Sequence, residues 1–90
     1  MQTKQFLVFG RVQGVGFRFF TLQQAGKIGL KGRVRNRQDG SVEIIAQGNE
    51  DQLIQLKTWL KTGPKTARIE RIIELDFETS QQLETFEIQH

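Results

Sequence analysis

The chain contains no cysteine, and its only histidine, His90, is the last residue. Without cysteine there is no disulfide and no thiolate chemistry, although this identifies no compartment. With one terminal histidine, neither a zinc site nor a Ser-His-Asp triad is expected, and no set of His, Asp or Glu has metal-ligand spacing. No apolar run approaches the ~20 residues of a membrane span, and the N-terminus lacks the apolar block of a signal peptide. The expectation is a soluble, cytoplasmic protein with no membrane partner. Internal repeats, linkers and low-complexity segments are also missing. Ninety residues make one domain, residues 1–90, burying roughly 60–65% of the chain's surface.

Charge is unevenly distributed. Residues 1–40 hold eight Lys or Arg and one acid, Asp39, whereas residues 41–90 hold five and nine, for a net +3 overall. An anionic ligand would be drawn towards the first half, unless folding interleaves the halves into two solvated faces of opposite bias.

The basic half contains Val8-Phe9-Gly10-Arg11-Val12-Gln13-Gly14-Val15-Gly16-Phe17-Arg18. It begins as a strand, with Phe6, Val8 and Val12 on one face and Gly10 on that face leaving room for a close neighbour. It ends as a helix, with Phe17, Phe20, Thr21, Gln24 and Ile28 on one side. The turn between them, with Gly14 and Gly16, can aim backbone N–H groups into one concavity ahead of a helix N-terminus, which favours an anion. Arg18 adds a planar fork that suits phosphate or carboxylate oxygens. The plainer alternative is a flexible connection that carries an arginine by chance.

The remaining elements follow from periodicity and capping. The first helix runs from about Phe17 to Lys27, with Gly29 at a C-cap position. Phe19 and Leu22 fall off its buried face, where they cover a helix flank or, for Phe19, line the mouth of the site. A strand from Gly32 to Gln38 places Val34 and Asn36 on one face and Arg33, Arg35 and Arg37 on the other. Gln38-Asp39-Gly40 reads as a hairpin turn, leading to a strand from Ser41 to Gln47 with Val42, Ile44 and Ala46 inside. Asn49 caps a second helix with Gln52 in capping-box position. Leu53, Leu56 and Leu60 form its buried stripe, flanked by Ile54 and Trp59, and Gly63-Pro64 ends it. A long strand covers Ala67 to Phe77, Glu78 to Leu83 is loop, and Phe86 to Gln89 can add a short strand at a sheet edge.

The order β-α-β-β-α-β predicts an α+β, ferredoxin-like fold, an antiparallel sheet with two helices on one face and room for a short fifth strand. The strands flanking the first crossover helix then run parallel, so Val12 to Arg18 and Asn36 meet at one end of the sheet. Read from the residues alone, this is a phosphate-binding site.

The same residues carry a resemblance. Val8 to Arg18 resembles the acylphosphatase pattern hydrophobic-x-Gly-x-Val-Gln-Gly-Val-x-Phe-Arg without departure, and Gly32-Arg33-Val34-Arg35-Asn36, Gly40-Ser41-Val42 and Gly48 resemble the family's second segment. The one departure is Arg33, where the family usually has an aromatic. Strand parity puts Arg33 on the face away from Asn36, so the site is expected to be intact. The resemblance implies metal-independent, cofactor-free hydrolysis of acyl phosphates to a carboxylate and inorganic phosphate. Arg18 matches the phosphate-binding arginine and Asn36 the water-positioning asparagine, with the backbone N–H groups of Gln13, Gly14, Val15, Gly16 and Phe17 as the phosphate loop. Such chemistry fits a set without a general base. A carboxylate leaving group, of conjugate-acid pKa about 4, departs without a general acid. The water's proton can pass to a phosphoryl oxygen, and the rest is positioning and charge stabilisation. A monomer acting on a small acyl phosphate, with phosphate as product and inhibitor, is expected.

Two other classes are consistent with this strand order. A non-catalytic anion-binding domain would share the fold. An RNA-binding module would use the basic charge and the string Gly16-Phe17-Arg18-Phe19-Phe20, but its aromatics belong on a central strand, and here they open a helix. No nucleic-acid partner is expected.

Overall fold

A computed structural model describes all residues from Met1 to His90. The elements are β1 (Gln2–Arg11), α1 (Phe17–Ile28), β2 (Lys31–Asn36), β3 (Val42–Gly48), α2 (Glu50–Thr62), β4 (Arg68–Asp76) and β5 (Phe86–Gln89). They form one five-stranded sheet in the order β4-β1-β3-β2-β5. β3 pairs antiparallel with β1 and with β2, so β1 and β2 point the same way and their C-terminal ends lie at one end of the sheet. β5 adds the sheet's single parallel pairing, alongside β2, with Val34 opposite Ile88. The sheet is therefore mixed, and the fifth strand continues it on the side of the site.

Both helices lie over one face. Phe6 and Val8 of β1, Val34 of β2 and Val42, Ile44 and Ala46 of β3 pack there with Phe17 and Ala25 of α1 and Leu53, Leu56 and Leu60 of α2. Phe17 and Trp59 stack at 6.0 Å between ring centroids, joining the two helices at the start of α1. α2 begins with the expected capping box, Asn49 accepting from the Gln52 N–H and the Gln52 side chain accepting from the Asn49 N–H. Ile54 is exposed, away from the Leu stripe.

Several expectations need correction. Phe20 is exposed; the buried stripe of α1 is Phe17, Thr21 and Ala25, with the Thr21 hydroxyl donating to the Phe17 carbonyl at 2.8 Å. Residues four apart keep one heading on a 3.6-residue turn, and the small Thr21 and Ala25 let α1 approach the sheet closely. β3 is buried along its entire length, not on one face only. It lies between β1 and β2, and on the outer face the chain after β4 crosses over it. There Gln47 donates to the Gln81 carbonyl at 3.0 Å and accepts from the Leu83 N–H at 2.7 Å. β2 stops at Asn36, so Arg37 belongs to the turn, where it pairs with Asp39 at 3.3 Å.

β4 carries apolar residues at irregular spacing, with Ile69 and Ile72 both against the core. A bulge explains this. Phe9 pairs with Arg71 and Gly10 with Ile69, leaving Glu70 as the extra residue that restores the inward heading. A Cβ on Gly10 would fall 2.0 Å from the Arg68 carbonyl oxygen, which is the close neighbour its position predicted.

Candidate active site

β1 delivers Val12 into the core, and the chain then turns through residues 13–16 to enter α1 at Phe17. Gly14 and Gly16 both have left-handed backbones, φ 74° and 77°, which glycine adopts at least cost. Both sides of the turn are tied down. The Gln13 side-chain amide donates to the carbonyls of Arg37 and Ser41, each at 2.8 Å, holding the turn against the β2–β3 hairpin. On the other side, the Thr66 hydroxyl donates to the Val15 carbonyl at 2.7 Å. The loop is thus held in place by the protein's own hydrogen bonds.

Its N–H groups are not used by the protein. No backbone N–H from Gln13 to Phe19 donates to any acceptor, and the first bond out of the turn runs from the Phe20 N–H to the Gly16 carbonyl at 3.1 Å. α1 has no side-chain cap and no acid in its first turn. α2, by contrast, satisfies its first turn with a capping box and Glu50 and Asp51. One helix start is satisfied within the protein and the other is not.

Beside this turn is a cavity of about 180 Å³. Gly14, Gly16, Phe17 and Arg18 form its loop side, and Asn36, at the end of β2, faces them; Gln13 and Val15 do not line it. Gln13 works through its side chain, as the tie to the hairpin, and its predicted place in the cradle rests on its backbone N–H alone. Arg18 has no carboxylate within ion-pair distance. Its one hydrogen bond goes from Nη1 to the Gln89 carbonyl at 3.2 Å, so its charge is held in position but not neutralised. The Asn36 side-chain oxygen is buried and has no partner. An unpaired buried acceptor costs about 1–3 kcal/mol, and Asn36 also lines the cavity.

Four further residues line the cavity, Val12 among them as part of the core. Phe19 is on its wall, as one of the two placements considered for it, and Ile88 and His90 come from β5 and the chain end. Ile88 and His90 were not predicted. The apolar alternation of Phe86 and Ile88 signalled a strand, but only its parallel seating on β2 brings them to the site. A larger cavity, about 500 Å³, lies at the other end of the sheet beneath residues 77–82; it has neither a helix start nor an arginine among its lining residues. No group of three or more His, Asp or Glu assembles anywhere that could hold a metal ion.

A family model described as acylphosphatase matches residues 4–88. The chain belongs to the acylphosphatase family. It is 52% identical to the acylphosphatase of Pasteurella multocida over the full length of both chains. It is 53% identical to that of Actinobacillus pleuropneumoniae over 98% of each. Its fold superposes on the crystal structure of the acylphosphatase from Bacillus subtilis with a TM-score of 0.95 at 37% identity, covering all of both chains. The ferredoxin-like architecture expected of the family is the one observed.

Proposed function

We propose that this protein hydrolyses acyl phosphates to a carboxylate and inorganic phosphate, at the cavity between the 13–18 turn and Asn36. The observation that carries the reading is that unused N–H groups, an unneutralised Arg18 and the side chain of Asn36 meet at one cavity. The N–H groups of the Gln13–Phe17 turn and the Arg18 fork hold the phosphoryl oxygens. The Asn36 side-chain amide hydrogen-bonds the attacking water and fixes its approach. The P–O bond to the acyl oxygen breaks as the water oxygen bonds to phosphorus; the bond pair leaves with the carboxylate and the water's proton passes to a phosphoryl oxygen. No protein base and no metal take part.

A non-catalytic anion site would need the cradle but not Asn36 opposite it. Nucleic acid is disfavoured because Phe17, Phe19 and Phe20 are on α1, and the central strand β3 has no aromatic. The protein is read as a monomer, since one chain supplies every residue lining the cavity; a single domain, residues 1–90, in the cytoplasm is the accompanying reading from the sequence. No helix is long and apolar enough to cross a membrane.

The test is hydrolysis of acetyl phosphate with and without excess chelator. Equal rates, with stoichiometric acetate and phosphate, are expected. Strict dependence on an added divalent ion would overturn the mechanism, and absence of hydrolysis would favour the anion-binding domain.

A further inference from the structure

The cavity is well suited to a phosphoryl group and too small for much else. Pockets that enclose whole drug-sized ligands span roughly 300–1,000 Å³, against about 180 Å³ here. With the phosphoryl group seated at the loop, the acyl group must project to the rim, and the rim residues set which acyl groups bind well.

Four apolar residues border the cavity, but Val12 and Phe17 are each 1% exposed and belong to the core. Phe19 is 53% exposed, an unusual state for a phenylalanine on a short helix of a small protein. It adjoins Arg18 in sequence and lines the same cavity. Its ring meets that of Phe20 edge-on, 5.8 Å between centroids and 64° between planes, so the ring is backed by a second aromatic. Ile88 of β5 is the other apolar residue bordering the cavity outside the core. No Asp or Glu lines the cavity.

We infer that Phe19 is a specificity-determining residue, an exposed aromatic platform at the rim that favours acyl phosphates with aromatic or bulky apolar acyl groups over acetyl phosphate. The inference rests on the acyl phosphate reaction proposed above. Stacking or edge-on contact with a ring, together with removal of its apolar surface from water, supplies the preference. The contact is made to the acyl group in ground and transition states alike, so it acts through KM.

The experiment compares kcat and KM for benzoyl phosphate and acetyl phosphate in the unaltered protein and in Phe19→Ala, Phe19→Leu and Phe19→Tyr. Comparing each variant with the unaltered protein cancels the intrinsic difference in reactivity between the two substrates. The ratio of kcat/KM, benzoyl over acetyl, is expected to fall about five- to tenfold in Phe19→Ala. Phe19→Leu should fall part of the way and Phe19→Tyr should keep the ratio, the change appearing in KM for benzoyl phosphate. Competition by phenylphosphonate, measured against competition by inorganic phosphate, should weaken by a similar factor in Phe19→Ala. An unchanged ratio in all three variants, with both substrates still hydrolysed, would overturn the platform and leave the reaction in place. Hydrolysis of neither substrate by the unaltered protein would overturn the reaction, and the platform with it.

Discussion

Arg18, in the first turn of α1, donates to the backbone carbonyl of Gln89 in β5, across seventy-one positions of sequence. The guanidinium thereby spans from the 13–18 turn to the strand that brings Ile88 and His90 to the cavity. An arginine can make this bond with one nitrogen and still present the rest of its fork to a ligand.

Replacement of Arg18 therefore removes an anchored charge. Hydrogen bonds to charged groups are worth about 1.5–3 kcal/mol each, so Arg18→Ala should weaken phosphate binding by roughly ten- to a hundredfold. Turnover should fall further, because charge on the phosphoryl oxygens is redistributed in the transition state. Arg18→Lys should recover little, since a single ammonium cannot reach the Gln89 carbonyl and hold a phosphate with the same geometry. Competitive inhibition by phosphate, measured at low and high salt, checks both variants. The unaltered protein should show inhibition that weakens with salt.

The sequence was most informative where a local rule has one outcome. The Asn49–Gln52 capping box, the Gly14–Gly16 turn and the parity that puts Val34 and Asn36 on the helix-covered face all appear as read. β5's partner was not legible, because a four-residue edge strand can sit on either side of a sheet and nothing local chooses. The outer-face burial of β3 was hidden for a related reason. It depends on the path of residues 77–85, which is fixed by contacts of Gln47 with Gln81 and Leu83 and by no pattern within β3 itself. At the site, Arg18 and Asn36, both named from the sequence, line one cavity. The side-chain role of Gln13 was missed, since its acceptors, the carbonyls of Arg37 and Ser41, are distant in sequence.

Gly10 leads the chain towards the 13–18 turn through the β1–β4 bulge. With φ 134° and a would-be Cβ at 2.0 Å from the Arg68 oxygen and 2.9 Å from the Glu70 nitrogen, it admits no side chain without movement of β4's backbone. Gly10→Ala should destabilise by about 3 kcal/mol, lowering Tm by roughly 10–25 °C in a domain of this size. Thermal unfolding checks this. A loss below about 0.5 kcal/mol would mean that the bulge shifts freely.

Glu43 faces the outer side of β3. Burial alone would raise its pKa, but hydrogen bonds from Arg35 Nε and Gln5 Nε2, each at 2.6 Å, outweigh it and hold the carboxyl below the ordinary glutamate range. Because the folded pKa is depressed, the stabilisation is complete above the unfolded value of about 4.3 and is lost as pH falls through the folded value. Acid should therefore destabilise the protein below about pH 4, with Glu74, lowered by its hydrogen bond from Lys57, contributing in the same direction. In Glu43→Gln the difference in urea stability between pH 7 and pH 3 should shrink, as read from denaturation curves at each pH. An unchanged difference would remove Glu43 from the acid response.

The division of labour between Arg18 and Asn36 is the central claim, and one comparison tests it most directly: phosphate titration by calorimetry beside single-turnover hydrolysis of an acyl phosphate, on Arg18→Ala and Asn36→Ala. Both variants should remain folded, because each loses a polar group at the cavity and none of the apolar core. Asn36→Ala should bind phosphate at nearly unchanged affinity while the chemical step slows by about a hundredfold or more, whereas Arg18→Ala should lose both. Equal loss of phosphate binding in the two variants would mean that the Asn36 amide holds the anion, and would contradict its assignment to the attacking water.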